Sequence, residues 1–202
     1  MLQGANDVWL IRHGETEWSR SGRHTGLTDL PLTDAGRRAA AALAPLLGRE
    51  SFAAVLTSPL KRARETCELA GLGAHARVDG DLLEWNYGRY EGLTSAEIRA
   101  RVPGWLLFRD GAEDGESPDD VSRRVDRVIA GARAAPGNVA IFAHGHVLRA
   151  FAARWLGWPV AAGQHFLLDT ATVNVLSAYH EAPAIKRWNV PMDHGLLGGG
   201  SS

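Results

Sequence analysis

Two short apolar runs that each lead to a histidine and a glycine constrain the fold of this chain most strongly. Val8–Ile11 runs directly into Arg12-His13-Gly14, and Val139–Phe142 runs into Ala143-His144-Gly145. A short apolar run bounded by a turn signal is typical of a buried strand. Open α/β sheets bind their ligands at the carboxyl ends of such strands. The repeat therefore predicts two buried strands that carry imidazoles to one edge of a sheet.

The rest of the chain alternates between strand and helix patterns. Further strands are expected at 53–56 and 76–78, and a final pair at 172–178 and 184–188. Cap and proline signals, which suit the first turn of a helix, predict helix starts at Thr33, Ser58-Pro59, Thr94 and Ser117-Pro118. Such alternation indicates a mostly parallel sheet covered on both faces. The predicted fold class is α/β, a three-layer α/β/α sandwich with a mostly parallel central sheet and an antiparallel edge strand.

Three segments are less regular. The helix after Thr33 is expected to have a kink at Pro45, and its predicted apolar face consists of Ala35, Ala39, Leu43, Leu46 and Leu47. Residues 15–32 have no clear period, and a loop of that length in a compact domain is usually functional. Residues 104–115 form either a lid over a pocket or a locally packed excursion.

Composition sets the class of protein. The 202 residues are 45% hydrophobic and 22% charged, which is typical of one globular domain. A formal net charge of -1 gives no field that favours nucleic acid or an anionic membrane. Cys67 is the single cysteine, and the N-terminus carries no export signal, so we expect a cytoplasmic protein. Residues 1–194 are predicted to form the domain and residues 195–202 a flexible tail.

Charged side chains are predicted to meet at one edge of the sheet, and they are Arg12, His13, Arg62, Glu84 and His144. Taken alone, Arg62 is better explained as a solvated surface residue, and Glu84 is also compatible with an exposed position on a strand edge. Together, two guanidiniums and two imidazoles form a cationic pocket that suits a dianionic phosphoryl group. A histidine can be the covalent nucleophile. Glu84 has apolar neighbours, which favour the neutral form that donates a proton.

These motifs together resemble the histidine phosphatase superfamily, also called the phosphoglycerate mutase-like family. The resemblance covers roughly 8–188 and rests on Arg12–Thr16, Ser58–Ala63, Glu84 and Ala143–Gly145. Within the superfamily the chain is most similar to the fungal sedoheptulose-1,7-bisphosphatases. The resemblance implies a phosphoglycerate mutase-like fold and a metal-independent phosphomonoester hydrolase that forms a phosphohistidine. The implied substrate is a small phosphorylated metabolite, such as the sugar bisphosphate sedoheptulose 1,7-bisphosphate, and no cofactor is implied.

The resemblance also assigns roles to residues. His13 would attack phosphorus, and Glu84 would protonate the leaving group and then activate water. The phosphoryl oxygens would be held by Arg12, Arg62 and His144. Substrate contacts are implied for Ser19, Thr25, Gly26, Tyr87 and Gly145. No metal ligand is implied, because arginines take the place of the cation.

Three alternatives stay open. A cofactor-dependent phosphoglycerate mutase uses the same phosphohistidine, although the mutases usually have asparagine at the position of Ser19. His144 and His146 form a pair that could bind a metal, but no cysteine or acidic cluster completes such a site. The third alternative is a non-catalytic protein that binds phosphorylated ligands. His24 is a candidate substrate contact, no nucleic acid or membrane partner is expected, and a homo-oligomer is compatible with the sequence.

Overall fold

The computed structural model describes residues 6–191 and contains a six-stranded sheet in the order β3-β2-β4-β1-β5-β6. The strands are β1 (Val8–Arg12), β2 (Ala54–Thr57), β3 (Ala76–Val78), β4 (Val139–Ala143), β5 (Val173–Tyr179) and β6 (Ala182–Val190). Parallel pairing joins β1 to β4, β4 to β2 and β2 to β3. The strand β5 is antiparallel to both β1 and β6. The predicted α/β fold class is confirmed. The strand β5 runs opposite to the other strands, and it lies second from the edge of the sheet because β6 pairs with its outer side.

Helices cover both faces of this sheet. They are α1 (Glu17–Arg20), α2 (Asp34–Ala41), α3 (Ala44–Leu47), α4 (Lys61–Leu69), α5 (Ser95–Arg101), α6 (Leu107–Asp110), α7 (Pro118–Arg133) and α8 (Gly145–Trp155). Capping boxes begin α5 at Thr94 and α7 at Ser117, as predicted, and Thr33 caps α2. No helix among the described residues is long and apolar enough to cross a membrane.

The central strand β1 is buried on both faces, and this creates two hydrophobic cores. Val8 and Leu10 pack into the core that contains the apolar faces of α7 and α8. Trp9 and Ile11 pack on the opposite side, with Leu43 and Cys67. Burial raises the pKa of the Cys67 thiol to about 12, so this cysteine is a packed core residue. Alternate side chains of one strand thus hold three layers together.

The helix predicted after Thr33 is two helices in the structure. Proline has no N–H to donate and its ring clashes with the preceding turn, so α2 ends at Ala41 and Pro45 lies in the first turn of α3. The buried positions of α2 are Gly36 and Ala40, and the prediction of Ala35 and Ala39 was wrong. A Cβ atom on Gly36 would lie 2.2 Å from the carbonyl oxygen of Glu15. The close approach of α2 to the loop after β1 therefore sets which face is buried.

The predicted helix start at Ser58-Pro59 was also wrong. The helix α4 begins at Lys61, and its N-cap Leu60 makes no side-chain capping bond. The hydroxyl of Ser58 instead lies 2.7 Å from Nε2 of His144. A tertiary contact at the sheet edge has replaced the local cap.

The two irregular segments contain short helices. The loop at 15–32 includes α1, which is held by a capping box between Thr16 and Ser19. The segment at 104–115 includes α6 and buries Trp105, Leu107 and Phe108 in the core beside α8. This second segment is a locally packed excursion.

The helix α7 also carries a buried arginine that fixes the segment before Trp85. Arg124 binds both carboxylate oxygens of Glu116, at 2.7 and 2.9 Å. It also donates to the carbonyl oxygens of Asp81, Leu83 and Glu84 at 2.8, 2.7 and 3.2 Å. One side chain therefore positions the backbone that presents Glu84.

Replacing Arg124 with methionine is expected to lower the free energy of unfolding by about 3–5 kcal/mol, because the partly buried carboxylate of Glu116 and three main-chain carbonyls lose the partner they share. Urea denaturation measures this change. Arg123 is the matched control, since its side chain is 65% exposed and pairs with Asp120 on the surface. Arg123→Met is expected to cost at most about 1 kcal/mol. Equal small losses for the two variants would contradict the positioning role of Arg124.

Candidate active site

A cleft of about 200 Å³ lies at the carboxyl ends of β1 and β4. Its lining combines the loop after β1, the segment around Glu84 and the first turns of α8, and it includes Arg12, His13, Ser19, Gly22, Arg23, His24, Thr25, Glu84, Tyr87, Ser95, Gly145, His146, Arg149 and Leu168. Most of the site residues predicted from the sequence are in this set. The predicted residues outside it are Arg62, His144 and Gly26, which lie behind the wall.

His13 is held in one orientation and kept neutral. Its Nδ1 lies 2.7 Å from the carbonyl oxygen of Gly14. A carbonyl only accepts, so we assign the proton to Nδ1, which leaves a lone pair on Nε2. Burial lowers the pKa of His13 well below its usual value, and the charges of Arg62 and Arg12 lower it further. A neutral imidazole with a free Nε2 is the form that can act as a nucleophile.

Arg12 brings an unused donor to the same cleft. One terminal nitrogen donates to the carbonyl oxygen of Leu168. Its Nε is buried and has no hydrogen-bond partner within residues 6–191. A Cβ atom on Gly145 would lie 3.3 Å from this Nε, so the glycine lets the helix start close against the guanidinium. A buried donor without a partner is costly. The guanidinium as a whole lines the cleft, where its positive charge favours an anion.

His144 lies directly behind His13, with 5.2 Å between the ring centroids. Its Nδ1 accepts a hydrogen bond of 3.1 Å from Nε of Arg62. Because arginine only donates, the His144 proton is on Nε2, which is directed to Ser58 at 2.7 Å. Burial and the charge of Arg62 lower the pKa of His144 well below its usual value. Both nitrogens of this ring are thus engaged within the protein, which does not suit the metal-binding pair considered from the sequence.

Arg62 is fully buried and clamps the loop at 25–28 from one side. It donates to the carbonyl oxygens of Thr25, Gly26 and Thr28 at 3.0, 2.9 and 2.9 Å. Glu91 clamps the loop from the other side by accepting from the N–H groups of Gly26 and Thr28. The surface interpretation of Arg62 was therefore wrong. Gly26 has its backbone committed to the clamp, while Thr25 reaches the cleft.

Glu84 is fixed at the N-terminus of α8. Its Oε1 accepts from the N–H groups of Trp85 and Val147 at 2.9 Å each, and its Oε2 accepts from that of His146 at 3.0 Å. The N-cap residue His144 makes no side-chain capping bond, so the carboxylate takes over that role. Glu84 is only 4% exposed, which excludes the interpretation as an exposed strand-edge residue. The carboxylate lines the same cleft as His13.

Ser19 and Tyr87 complete the predicted part of the lining. The Ser19 hydroxyl accepts from the N–H of Thr16 at 2.9 Å and donates to the Thr16 carbonyl at 3.0 Å. The Tyr87 hydroxyl lies 2.6 Å from Nδ1 of His146. Burial, and then the charge of Glu84, raise the pKa of Tyr87 well above its usual value, so it stays protonated.

Two arginines in the lining were not predicted as site residues. Arg149 donates to the carbonyls of Gly163 and Gln164, at 3.0 and 3.2 Å, and lies 4.8 Å over the ring of Phe108. Its position one turn after His146 on the predicted helix was the available signal. Arg23 lies at the opposite side and donates to the carbonyl of Gly92 at 2.6 Å. Together with Arg12, these groups make the cleft cationic around the single carboxylate of Glu84.

The chain is similar to known proteins over most of its length. The family model of the histidine phosphatase superfamily (branch 1) matches residues 8–191. An acid phosphatase of Mycobacterium tuberculosis is 42% identical, over 85% of this chain and 86% of that protein. The sedoheptulose 1,7-bisphosphatase of Saccharomyces cerevisiae is 37% identical, over 73% of this chain and 66% of that protein.

Solved structures show the same fold. The product of a Mycobacterium tuberculosis open reading frame superposes with a TM-score of 0.88 and 38% identity, covering 93% of this chain and 99% of that one. A mycobacterial glucosyl-3-phosphoglycerate phosphatase in complex with VO3 gives a TM-score of 0.81 and 31% identity, covering 92% and 100%. The match along the whole described chain and the phosphatase relatives lead to one conclusion: this chain belongs to the histidine phosphatase superfamily, branch 1, and is a phosphatase.

Proposed function

We propose that this chain hydrolyses the phosphomonoester of a small phosphorylated metabolite, without a metal ion, through a phosphohistidine at His13. The proposed substrate class is sugar phosphates and bisphosphates, such as sedoheptulose 1,7-bisphosphate. One observation carries the proposal. A neutral imidazole, the guanidinium of Arg12 and the carboxyl group of Glu84 line one cleft.

In the first step, the lone pair on Nε2 of His13 attacks phosphorus as the bond from phosphorus to the ester oxygen breaks. The bond from Nδ1 to the Gly14 carbonyl holds the ring and stabilises the positive charge that develops on it. Arg12 neutralises charge on the phosphoryl oxygens, which is the main requirement of phosphoryl transfer. Glu84 enters this step in its acid form, with the proton on Oε2, the oxygen that accepts a single main-chain bond. It gives that proton to the leaving oxygen, so an alcohol departs.

In the second step, Glu84 takes a proton from water, and the resulting hydroxide attacks the phosphohistidine. The bond from phosphorus to Nε2 breaks, which restores the neutral imidazole and releases inorganic phosphate. Proton and charge then balance over the cycle, because Glu84 regains the proton it gave away. The main-chain bonds at the start of α8 keep this carboxyl group in place for both steps.

Arg62 and His144 act from behind the cleft wall in this proposal. Arg62 helps keep His13 neutral through its charge and orients His144 through Nδ1. The Nε2–H of His144, which donates to Ser58 in the structure, is the proposed donor to a phosphoryl oxygen when substrate is bound. Arg12 is thus proposed to contact the phosphoryl oxygens directly, whereas Arg62 is proposed to position His144 and the neighbouring loop.

The outer cleft supports an anionic, polar substrate. Arg23 and Arg149 both line it, and Ser19, Thr25 and Ser95 add hydroxyl groups. Two proteins similar in sequence to this chain are named as phosphatases of sedoheptulose 1,7-bisphosphate and of glucosyl-3-phosphoglycerate. These substrates combine a phosphate with a sugar and a second anionic group, which fits a cleft with several arginines.

Acid-quench experiments with a 32P-labelled substrate are expected to trap a labelled protein that is stable in alkali and labile in acid. His13→Ala should abolish the label, because no other side chain in the proposal bonds to phosphorus. The exposed His75→Ala variant is the matched control and should label like the wild type. Labelling that persists in His13→Ala would contradict the assigned nucleophile.

Glu84→Gln is expected to lower turnover most with a poor leaving group, because an alkoxide needs the proton more than an aryl oxide does. With an alkyl phosphate, kcat should fall by about 100-fold or more, and with 4-nitrophenyl phosphate the first step should fall far less. Rapid-quench kinetics separate the two steps. Equal losses of the first step for both substrates would count against the acid role.

The mutase alternative is tested with 3-phosphoglycerate and 2,3-bisphosphoglycerate in buffer that contains EDTA. Hydrolysis is expected to release inorganic phosphate in this mixture without net isomerisation, since water is the proposed acceptor. Isomerisation without phosphate release would replace the proposal with a mutase. Loss of phosphate release on adding EDTA, with recovery on adding a divalent metal, would contradict metal independence.

A further inference from the structure

Two imidazole rings that the proposed chemistry does not use lie side by side in the cleft wall. The rings of His24 and His146 are stacked at 5.7 Å between centroids, with 8° between their planes. Both residues line the cleft that contains His13 and Glu84. Each ring uses its Nδ1 in a contact within the protein, so the protonation of the remaining Nε2 decides what the ring offers to the cleft.

His24 presents a lone pair. Its Nδ1 lies 2.8 Å from the carbonyl oxygen of Leu93, which can only accept. The proton is therefore on Nδ1. Burial lowers the pKa of His24, which favours the neutral ring and leaves Nε2 as an acceptor.

His146 presents a proton. The Tyr87 hydroxyl is 2.6 Å from Nδ1 of His146, and this nitrogen is its hydrogen-bond partner among the described residues. Because Tyr87 stays protonated, its O–H donates to Nδ1, and the His146 proton must be on Nε2. Burial and the charge of Arg149 lower the pKa of His146 well below its usual value, so this ring is also neutral.

The two Nε2 atoms are open to the cleft. Neither has a hydrogen-bond partner within residues 6–191, and neither is among the buried polar atoms left unpartnered there. The wall thus offers one acceptor, on His24, next to one donor, on His146. A hydroxyl group both donates and accepts, so it complements this pair. A carboxylate or phosphate oxygen would face the lone pair of His24, and an ammonium group would face the N–H of His146.

We propose that His24 and His146 form a hydroxyl-binding subsite that selects polyhydroxylated phosphomonoesters over phosphomonoesters with an apolar alkyl group. The subsite lies beside the reacting end of the substrate, because Nδ1 of His146 is 3.9 Å from Oε2 of Glu84. It would therefore bind a hydroxyl close to the ester oxygen that Glu84 protonates. This inference rests on the proposed hydrolase and adds the chemistry by which that enzyme recognises its substrate.

The test compares two alkyl phosphates of equal chain length, sorbitol 6-phosphate and n-hexyl phosphate. The measured quantity is the ratio of kcat/KM for the first to that for the second. Wild-type enzyme is expected to favour sorbitol 6-phosphate by at least tenfold, and each of His24→Phe and His146→Phe should lower the ratio by roughly 2- to 10-fold, as expected for one hydrogen bond. The double variant should bring the ratio close to one.

Two further variants separate recognition from structural damage. His146→Gln keeps an N–H near the position of Nε2 and should recover part of the ratio lost in His146→Phe. The exposed His75→Phe should leave the ratio as in the wild type. Thermal melts of all variants show whether they fold, and a phenylalanine variant that does not fold is replaced by its leucine counterpart, which also lacks a hydrogen-bonding group, in the same comparison.

The outcomes distinguish the subsite from the hydrolase itself. A wild-type ratio near one, or equal losses for both phosphates in the variants, would overturn the subsite while a 32P-labelled His13 adduct still supports the hydrolase. Absence of both the adduct and phosphate release would overturn the proposed function. A falling ratio in the phenylalanine variants, recovered in His146→Gln, supports the subsite.

Discussion

The hydrogen bond from Nδ1 of His13 to the Gly14 carbonyl is the contact on which the proposed chemistry depends most. It aims Nε2 and fixes where the proton resides. Burial beside the guanidiniums of Arg12 and Arg62 then keeps the ring neutral, because a third positive charge there would be poorly solvated and repelled by the other two. The fold supports this setting through β1, whose side chains are buried on both faces and whose end carries Arg12 and His13.

The start of α8 has a matching role on the other side of the cleft. Its free N–H groups hold the Glu84 carboxylate, and its first residue, Gly145, lets the Arg12 guanidinium lie close to the backbone. Arg124 of α7 fixes the segment that carries Glu84 by donating hydrogen bonds to the carbonyl oxygens of Leu83 and Glu84. The acid and the nucleophile are therefore placed by different elements, which meet because β1 and β4 are adjacent and parallel. Buried hydrogen bonds to His13 and to Glu84 limit the motion of one side chain relative to the other.

Local signals in the sequence were enough for much of the fold. The strands β1 and β4 are continuous apolar runs, and the caps at Thr33, Thr94 and Ser117 act within one turn, so their neighbours in sequence predict them. Ser58 was wrongly predicted to cap a helix from its local Ser-Pro signal. Its partner, His144, is 86 residues away, so no neighbouring residue indicates the contact. Gly36 was missed as a buried position for the same reason, since the backbone of Glu15 decides which face of α2 packs.

The site shows the same division between local and distant information. Motifs around His13, Glu84 and His144 predicted which side chains meet, but not that Arg62 and Gly26 are committed to a clamp with Glu91. The tautomers of His24 and His146 depend on Leu93 and Tyr87, which no motif connects to them. Charge and residue type indicate the class of reaction, whereas hydrogen-bond direction requires coordinates.

The most direct test of this account is 15N NMR of the imidazole nitrogens of His13 in the ligand-free enzyme, assigned by comparison with His13→Gln. A protonated Nδ1 and an unprotonated Nε2 that does not titrate near the usual value of 6.5 are expected, because burial and the charges of Arg62 and Arg12 lower the pKa of His13 well below that value. A proton on Nε2, or titration near the usual value, would contradict it.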